Sequence, residues 1–167
     1  MPHHRTTYRV ERTPHEVFDV IGTNVYANHP KWEAEVVEIR PITPGPIRLG
    51  SEAVMVRHER RGRSETTYVV TAFEPDRAIA FAHDHPAMSF AIRFEVAPSG
   101  GSTTDLTVDV RVGLKGAFKL ATPLFMLQLP RQTDRISNQA IALIEGRAAT
   151  QPVVTGATLP AEAVGQG

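Results

Sequence analysis

Between Ala87 and Leu114 the chain alternates with a period of two almost without a break. Met88, Phe90, Ile92, Phe94 and Val96 fall on one side, and Ser89, Ala91, Arg93 and Glu95 on the other. After Pro98-Ser99-Gly100-Gly101, Leu106, Val108, Val110, Val112 and Leu114 repeat the pattern against Asp105, Thr107, Asp109 and Arg111. This predicts two strands joined by a tight turn, each with one apolar and one wet face. Arg93, Asp105, Asp109 and Arg111 should then form a solvated outer surface. The spacing next becomes helical, with apolar residues at Leu129, Ile136, Ala140, Leu143 and Ile144. A bent sheet with one apolar face, closed by one helix, can keep a cavity between them.

The remaining elements are read in the same way. Thr6, Tyr8 and Val10 open with a first strand. Thr13-Pro14-His15-Glu16 has the spacing of a capping box with proline at the first helical position, and Gly22 ends that helix. A second short helix covers Asn24 to Ala27 and stops before Pro30. Strands resume near Glu33, where the adjacent Val36 and Val37 break the alternation and suggest a bulge. Ala53 to Glu59 and Glu65 to Phe73 form a hairpin around Arg60-Arg61-Gly62-Arg63, and another strand runs from Ala78 to His83. The long helix lies within Gly116 to Thr150, and Pro123 and Pro130 are expected to kink it or delay its start. Residues 150–167, rich in Pro, Gly, Ala and Thr and nearly free of charge, read as a disordered tail behind one domain at 1–149.

Composition excludes several classes. With 18 basic and 18 acidic residues in 167, no global field favours nucleic acid or an anionic surface. The absence of cysteine removes disulfides, thiolate metal sites and cysteine nucleophiles. No apolar stretch approaches the roughly 20 residues of a membrane span, and the N-terminus lacks a signal-peptide pattern. A cytoplasmic protein with no stable membrane insertion and no nucleic-acid partner is the expectation. The sequence leaves the oligomeric state open, a homodimer included.

Strand, two short helices, six antiparallel strands and a long C-terminal helix make up the helix-grip architecture, an α+β fold. The chain resembles the SRPBCC (Bet v 1-like or START-like) superfamily, most of all its polyketide cyclase/dehydrase branch. The resemblance is carried by the Thr13 to Ile21 segment, by His29-Pro30-Lys31-Trp32, by Leu49-Gly50-Ser51-Glu52 and above all by Tyr68 to Phe81. It implies a seven-stranded curved sheet wrapped around the C-terminal helix. It also implies a hydrophobic small-molecule ligand, such as a lipid, an isoprenoid or an aromatic polyketide. These motifs punctuate a fold and name no reaction.

Candidate cavity residues follow from the faces. Trp32, Met55, Phe81, Phe90, Phe94, Phe118, Phe125, Met126 and Leu129 are the apolar ligand-binding candidates, though any one of them could be plain core. Ile79 and Phe81 share a face with His83, and Val54 and Val56 share one with His58, so both histidines are candidate acid/base groups. At strand ends, either could instead reach solvent. Tyr68 falls on the face of Met55 and Arg57 if the hairpin is centred on Arg61-Gly62; an inward Tyr–Arg pair there could polarise a ketone, whereas the readier reading is an outward cross-strand surface pair. Tyr68, His83, His58 and Arg57 are thus the catalytic candidates. His83-Asp84-His85 has a spacing that suits zinc, but only His29 offers itself as a third ligand, so no metal and no cofactor are expected. The prolines around Leu124 to Leu129 suggest hinges of a gate. Carriage or sensing of a hydrophobic molecule is the leading reading, because no convergent catalytic set is visible; the alternatives are a polyketide cyclase or dehydratase and a chaperone cofactor or protein-interaction module.

Overall fold

The computed structural model describes residues 3–60 and 62–147. Arg61 and the C-terminal tail therefore lie outside the described residues. Strand β1 (His3–Val10) leads into α1 (Pro14–Phe18), a wider π-helical turn (Asp19–Thr23) and α2 (Val25–Trp32). Then come β2 (Val36–Pro41), β3 (Glu52–Glu59), β4 (Gly62–Glu74), β5 (Ala78–Asp84), β6 (Met88–Gly100) and β7 (Thr103–Leu114). A 3₁₀ segment, Gly116–Ala121, precedes α3 (Thr122–Ile144). The seven strands form one antiparallel sheet in the order β1-β7-β6-β5-β4-β3-β2, so β1 joins an edge, as the element order implies.

Local chemistry explains most of these boundaries. The Thr13 hydroxyl accepts from the Glu16 backbone N–H, and the Glu16 carboxylate accepts from the Thr13 backbone N–H at 2.8 Å. The register shift between Val36 and Glu38 is the expected bulge, and a second one between Val70 and Ala72 bends β4. Bulges of this kind increase local twist and curl the sheet. Pro123 falls in the first turn of α3, where a missing N–H costs nothing, whereas Pro130 lies inside the helix.

Several expectations change. Glycine does not end the first helical segment: Gly22 sits inside the π-helical turn, at a place where a Cβ would lie 2.7 Å from the Phe18 ring. Helix α2 does not stop before Pro30 but carries it to Trp32, with the Glu33 N–H bonding to the His29 carbonyl. The β3–β4 hairpin closes on the pair Glu59↔Gly62, one residue earlier than expected. That shift moves each pairing by two residues and leaves the faces unchanged, so Tyr68, Met55 and Arg57 do share a side. Strand β1 begins ahead of Thr6, at His3, which lies 3.0 Å from Asp109. Asp109 itself is only 5% exposed, because His3, Arg5 and Arg111 cover it on the outer face.

Helix α3 lies against the sheet by its C-terminal half. Leu129, Thr133, Ser137, Ala140, Ile141 and Ile144 form its buried stripe. Tyr8 on β1 donates its hydroxyl to the Asp134 carboxylate, a polar tie between wall and helix. Phe18 meets Phe73 edge-on at 5.6 Å and is 1% exposed, so its ring has little room to yield. Gly22→Ala is therefore expected to destabilise the fold by about 1–3 kcal/mol. A denaturation midpoint equal to wild type would show that the ring swings clear.

Candidate functional site

The inner wall is covered unevenly. Leu106, Val108, Val110 and Val112 on β7 are buried, whereas their β6 neighbours Met88, Phe90, Ile92 and Phe94 are half-buried. The apolar inner face thus reaches solvent along β6. Of the apolar candidates, Met55, Phe90 and Phe94 are half-buried residues of this wall, and Phe81 lies beneath them in the core. Phe125 packs half-buried against the core and Leu129 is buried. Trp32 is buried too, stacked on His29 at 4.9 Å at the end of α2. Phe118 and Met126, however, are exposed, because they lie on the sides of their helical segments that turn away from the wall.

Polar side chains converge at one part of the wall. The Tyr26 ring on α2 meets the Tyr68 ring of β4 edge-on at 6.3 Å, and Tyr68 in turn meets Phe81 at 5.3 Å. The register that pairs Val69 with Ala82 places Tyr68 and His83 one step further along, on the same face. His83 stacks on Phe90 at 5.5 Å. The Tyr26 hydroxyl and His83 Nδ1 are buried and have no hydrogen-bond partner among the described residues. Buried polar atoms nearly always find partners, and those that do not are informative.

Burial also fixes their protonation. It raises the Tyr68 hydroxyl far above the ordinary tyrosine value, with Tyr26 adding to the effect, and it raises Tyr26 as well. Both are therefore proton-bearing donors. Burial lowers His83, His85 reinforces the shift and Asp84 opposes it, so the ring is held neutral. The arrangement joins two hydroxyl donors to one neutral imidazole, with an apolar surface around them.

The other catalytic candidates are placed differently. His58 is exposed on the outer face, since Val54, Val56 and His58 pair with Thr67, Glu65 and Arg63 and with the outward side of β2. Apolar alternation misled here because Val56 is buried beneath ion-paired side chains of the outer face rather than within the core. Arg57 does face inward, but its Nη2 donates to Glu33 at 2.6 Å and to Glu35 at 2.9 Å. His29 Nε2 donates to the second Glu33 oxygen at 2.7 Å. This network locks α2 to β3 and occupies the guanidinium. His85 is exposed, its Nδ1 accepting from the Ala87 N–H, and no His/Asp/Glu group with metal-holding geometry occurs among the described residues.

Tyr26 and Glu33 were not visible in the sequence as site or network residues. Ending α2 at Ala27 gave Tyr26 no helical face, and a lone glutamate before a strand carries no pattern. A separate hollow of about 240 Å³ lies on the outer side of the sheet, bordered by Ala80, Ala91, Arg93, Asp109 and Arg111. Its charged groups already pair with one another or with Glu74 and Glu95, so it offers no unused charge.

Comparison with known proteins follows the same line. The family described as polyketide cyclase / dehydrase and lipid transport matches residues 1–131. No curated protein matches the sequence. Among solved structures, the Zhui aromatase/cyclase from Streptomyces sp. R1128 is similar with a TM-score of 0.69 at 14% identity, over 89% of this chain and 97% of that one. A START superfamily protein from Mycobacterium smegmatis gives a TM-score of 0.69 at 14% identity, covering 86% and 97%. Truncated norcoclaurine synthase from Thalictrum flavum gives 0.64 at 12% identity, covering 85% and 92%. At such identities the likeness establishes the fold alone. Among the described residues no helix is long and apolar enough to cross a membrane.

Proposed function

The chain belongs to the polyketide cyclase / dehydrase and lipid transport family, and from that premise we propose that it cyclises and dehydrates an apolar chain bearing several carbonyl groups. The observation that carries this reading is the trio Tyr26, Tyr68 and His83 gathered at the inner face of the sheet, with two of its polar atoms buried and unpartnered among the described residues. A hydrocarbon ligand alone would leave those atoms orphaned, whereas a ketone or enolate oxygen would accept from the Tyr26 hydroxyl, and the acidic C–H beside it would face the His83 ring.

The chemistry balances without a redox partner. Neutral His83 takes a proton from a carbon next to a carbonyl, and the electron pair moves onto the carbonyl oxygen. Tyr26 and Tyr68 donate hydrogen bonds to that enolate oxygen. The enolate carbon attacks a second carbonyl within the same chain, forming the ring bond, and the new alkoxide receives the proton from His83. His83 then takes a second proton from the carbon next to the new alcohol, the C–O bond breaks as the C=C bond forms, and His83 returns that proton to the departing hydroxyl, which leaves as water. Half-buried Phe90, Ile92 and Phe94 would hold the apolar parts of the chain in the folded shape this needs.

The test is turnover of a linear poly-β-ketone thioester, followed by mass spectrometry as loss of one water. Tyr68→Phe and His83→Gln are expected to slow it by on the order of a hundredfold to ten-thousandfold, with substrate binding largely kept. A second reading, carriage of a hydrophobic molecule, is favoured by the half-open apolar wall. Binding without turnover in the wild type would overturn the catalytic proposal and leave the carrier.

A further inference from the structure

The segment that opens α3 is more apolar than the interior requires. Phe125 and Leu129 supply its inward face, yet Phe118, Leu120, Leu124 and Leu127 all point away and are exposed, Leu120 at 88%. Several large apolar side chains exposed on one short stretch mark an interaction surface. The charge of this stretch is also one-sided. Residues 115–131 contain Lys115, Lys119 and Arg131 and no acidic residue, in a chain whose formal charge is zero. Lys115 pairs with Asp84, whereas Lys119 and Arg131 are exposed and make no ion pair among the described residues.

We propose that this segment docks the protein peripherally on an anionic lipid bilayer. An amphipathic element with cations beside its apolar side chains sinks those side chains into the headgroup boundary, while the cations meet acidic lipids. At 23 residues, α3 is anchored by its C-terminal half against the sheet, so the segment lies on the surface and does not span. A second copy fits less well. Two-fold pairing through the same stretch would bring cations against cations, with no carboxylate between 115 and 131 to offset them. The inference goes beyond the cyclase reading and does not depend on it.

The experiment is co-sedimentation of the full chain with phosphatidylcholine vesicles, with and without phosphatidylglycerol. Binding is expected only with phosphatidylglycerol present, and it should weaken as salt shortens the screening length. Leu120→Asp with Leu124→Asp is expected to weaken it by on the order of tenfold or more, and Lys119→Glu with Arg131→Glu to abolish the lipid preference. All four residues are exposed, so circular dichroism and the urea denaturation midpoint should match the wild type. Absence of vesicle binding, or binding indifferent to these substitutions, overturns the proposal. So does concentration-dependent dimerisation that the leucine variant removes, since that assigns the surface to a second copy.

Discussion

Glu33→Ala is expected to cost about 3–5 kcal/mol of folding free energy, the range for removing one partner of a buried ion pair. Glu33 is 6% exposed and accepts from both Arg57 and His29. Removing its carboxylate leaves the Arg57 guanidinium in a half-buried place with, among the described residues, only the Glu35 and, at 3.9 Å, Glu59 carboxylates nearby. It also frees the end of α2, which the network ties to β3. The double variant Glu33→Leu with Arg57→Met should recover much of the loss, because paired burial of charge contributes little beyond an apolar replacement. Urea denaturation of both variants checks this, and a single variant within 1 kcal/mol of wild type, about the worth of one exposed pair, would mean that water already shares the pair.

The same network sets an acid limit. Burial alone would raise the Glu33 carboxyl, but the hydrogen bond from His29 and the charge of Arg57 outweigh it and hold it below the ordinary value of 4.5. A carboxyl lowered on folding binds fewer protons than its unfolded counterpart. Its stabilisation is therefore complete above pH 4.5 and is lost as pH falls through the folded value. Wild type and Glu33→Gln should accordingly converge in stability in that acid range.

How far the sequence could be read depended on how local the cause was. The capping box at Thr13, the bulge at Val36-Val37 and the β6–β7 ladder rest on neighbours in the chain, and each is legible from spacing. The hairpin shift kept Tyr68 on the face of Met55 and Arg57 because face depends only on parity, but that this face is the buried one, and not an outer surface, depends on the distant elements packed against it. Side choice failed at His58, where apolar Val54 and Val56 lie under a layer of ion pairs formed by distant residues such as Arg40 and Glu65. Asp109 was misjudged for the same reason, since its cover comes from β1, paired with β7 from the far end of the chain. Tyr26 could not be found at all, because its role appears only once α2 crosses the sheet.

Removing the orphaned polar atoms is expected to stabilise the protein while destroying its chemistry. A buried donor or acceptor without a partner carries a desolvation cost of about 1–3 kcal/mol, which an apolar replacement of similar shape removes. Tyr26→Phe deletes only the unpartnered hydroxyl, and His83→Leu deletes the unpartnered Nδ1 while keeping an apolar contact for Phe90. Each should raise the unfolding free energy by about 1 kcal/mol, or Tm by roughly 2–4 °C for a chain of this size. Poly-ketone turnover should fall with both, the usual opposition between stability and a site kept ready for a ligand. The His83 effect should also depend on pH. Burial lowers His83 below its ordinary value of 6.5, so below that pH the unfolded chain takes up a proton that the folded ring refuses. Wild type loses this contribution as pH falls through the folded value, and His83→Leu has none to lose, so the gap in Tm widens on acidification. Should both variants melt below wild type at neutral pH, the hydroxyl and Nδ1 are already satisfied in the free protein, and the case for a carbonyl-bearing substrate loses its foundation.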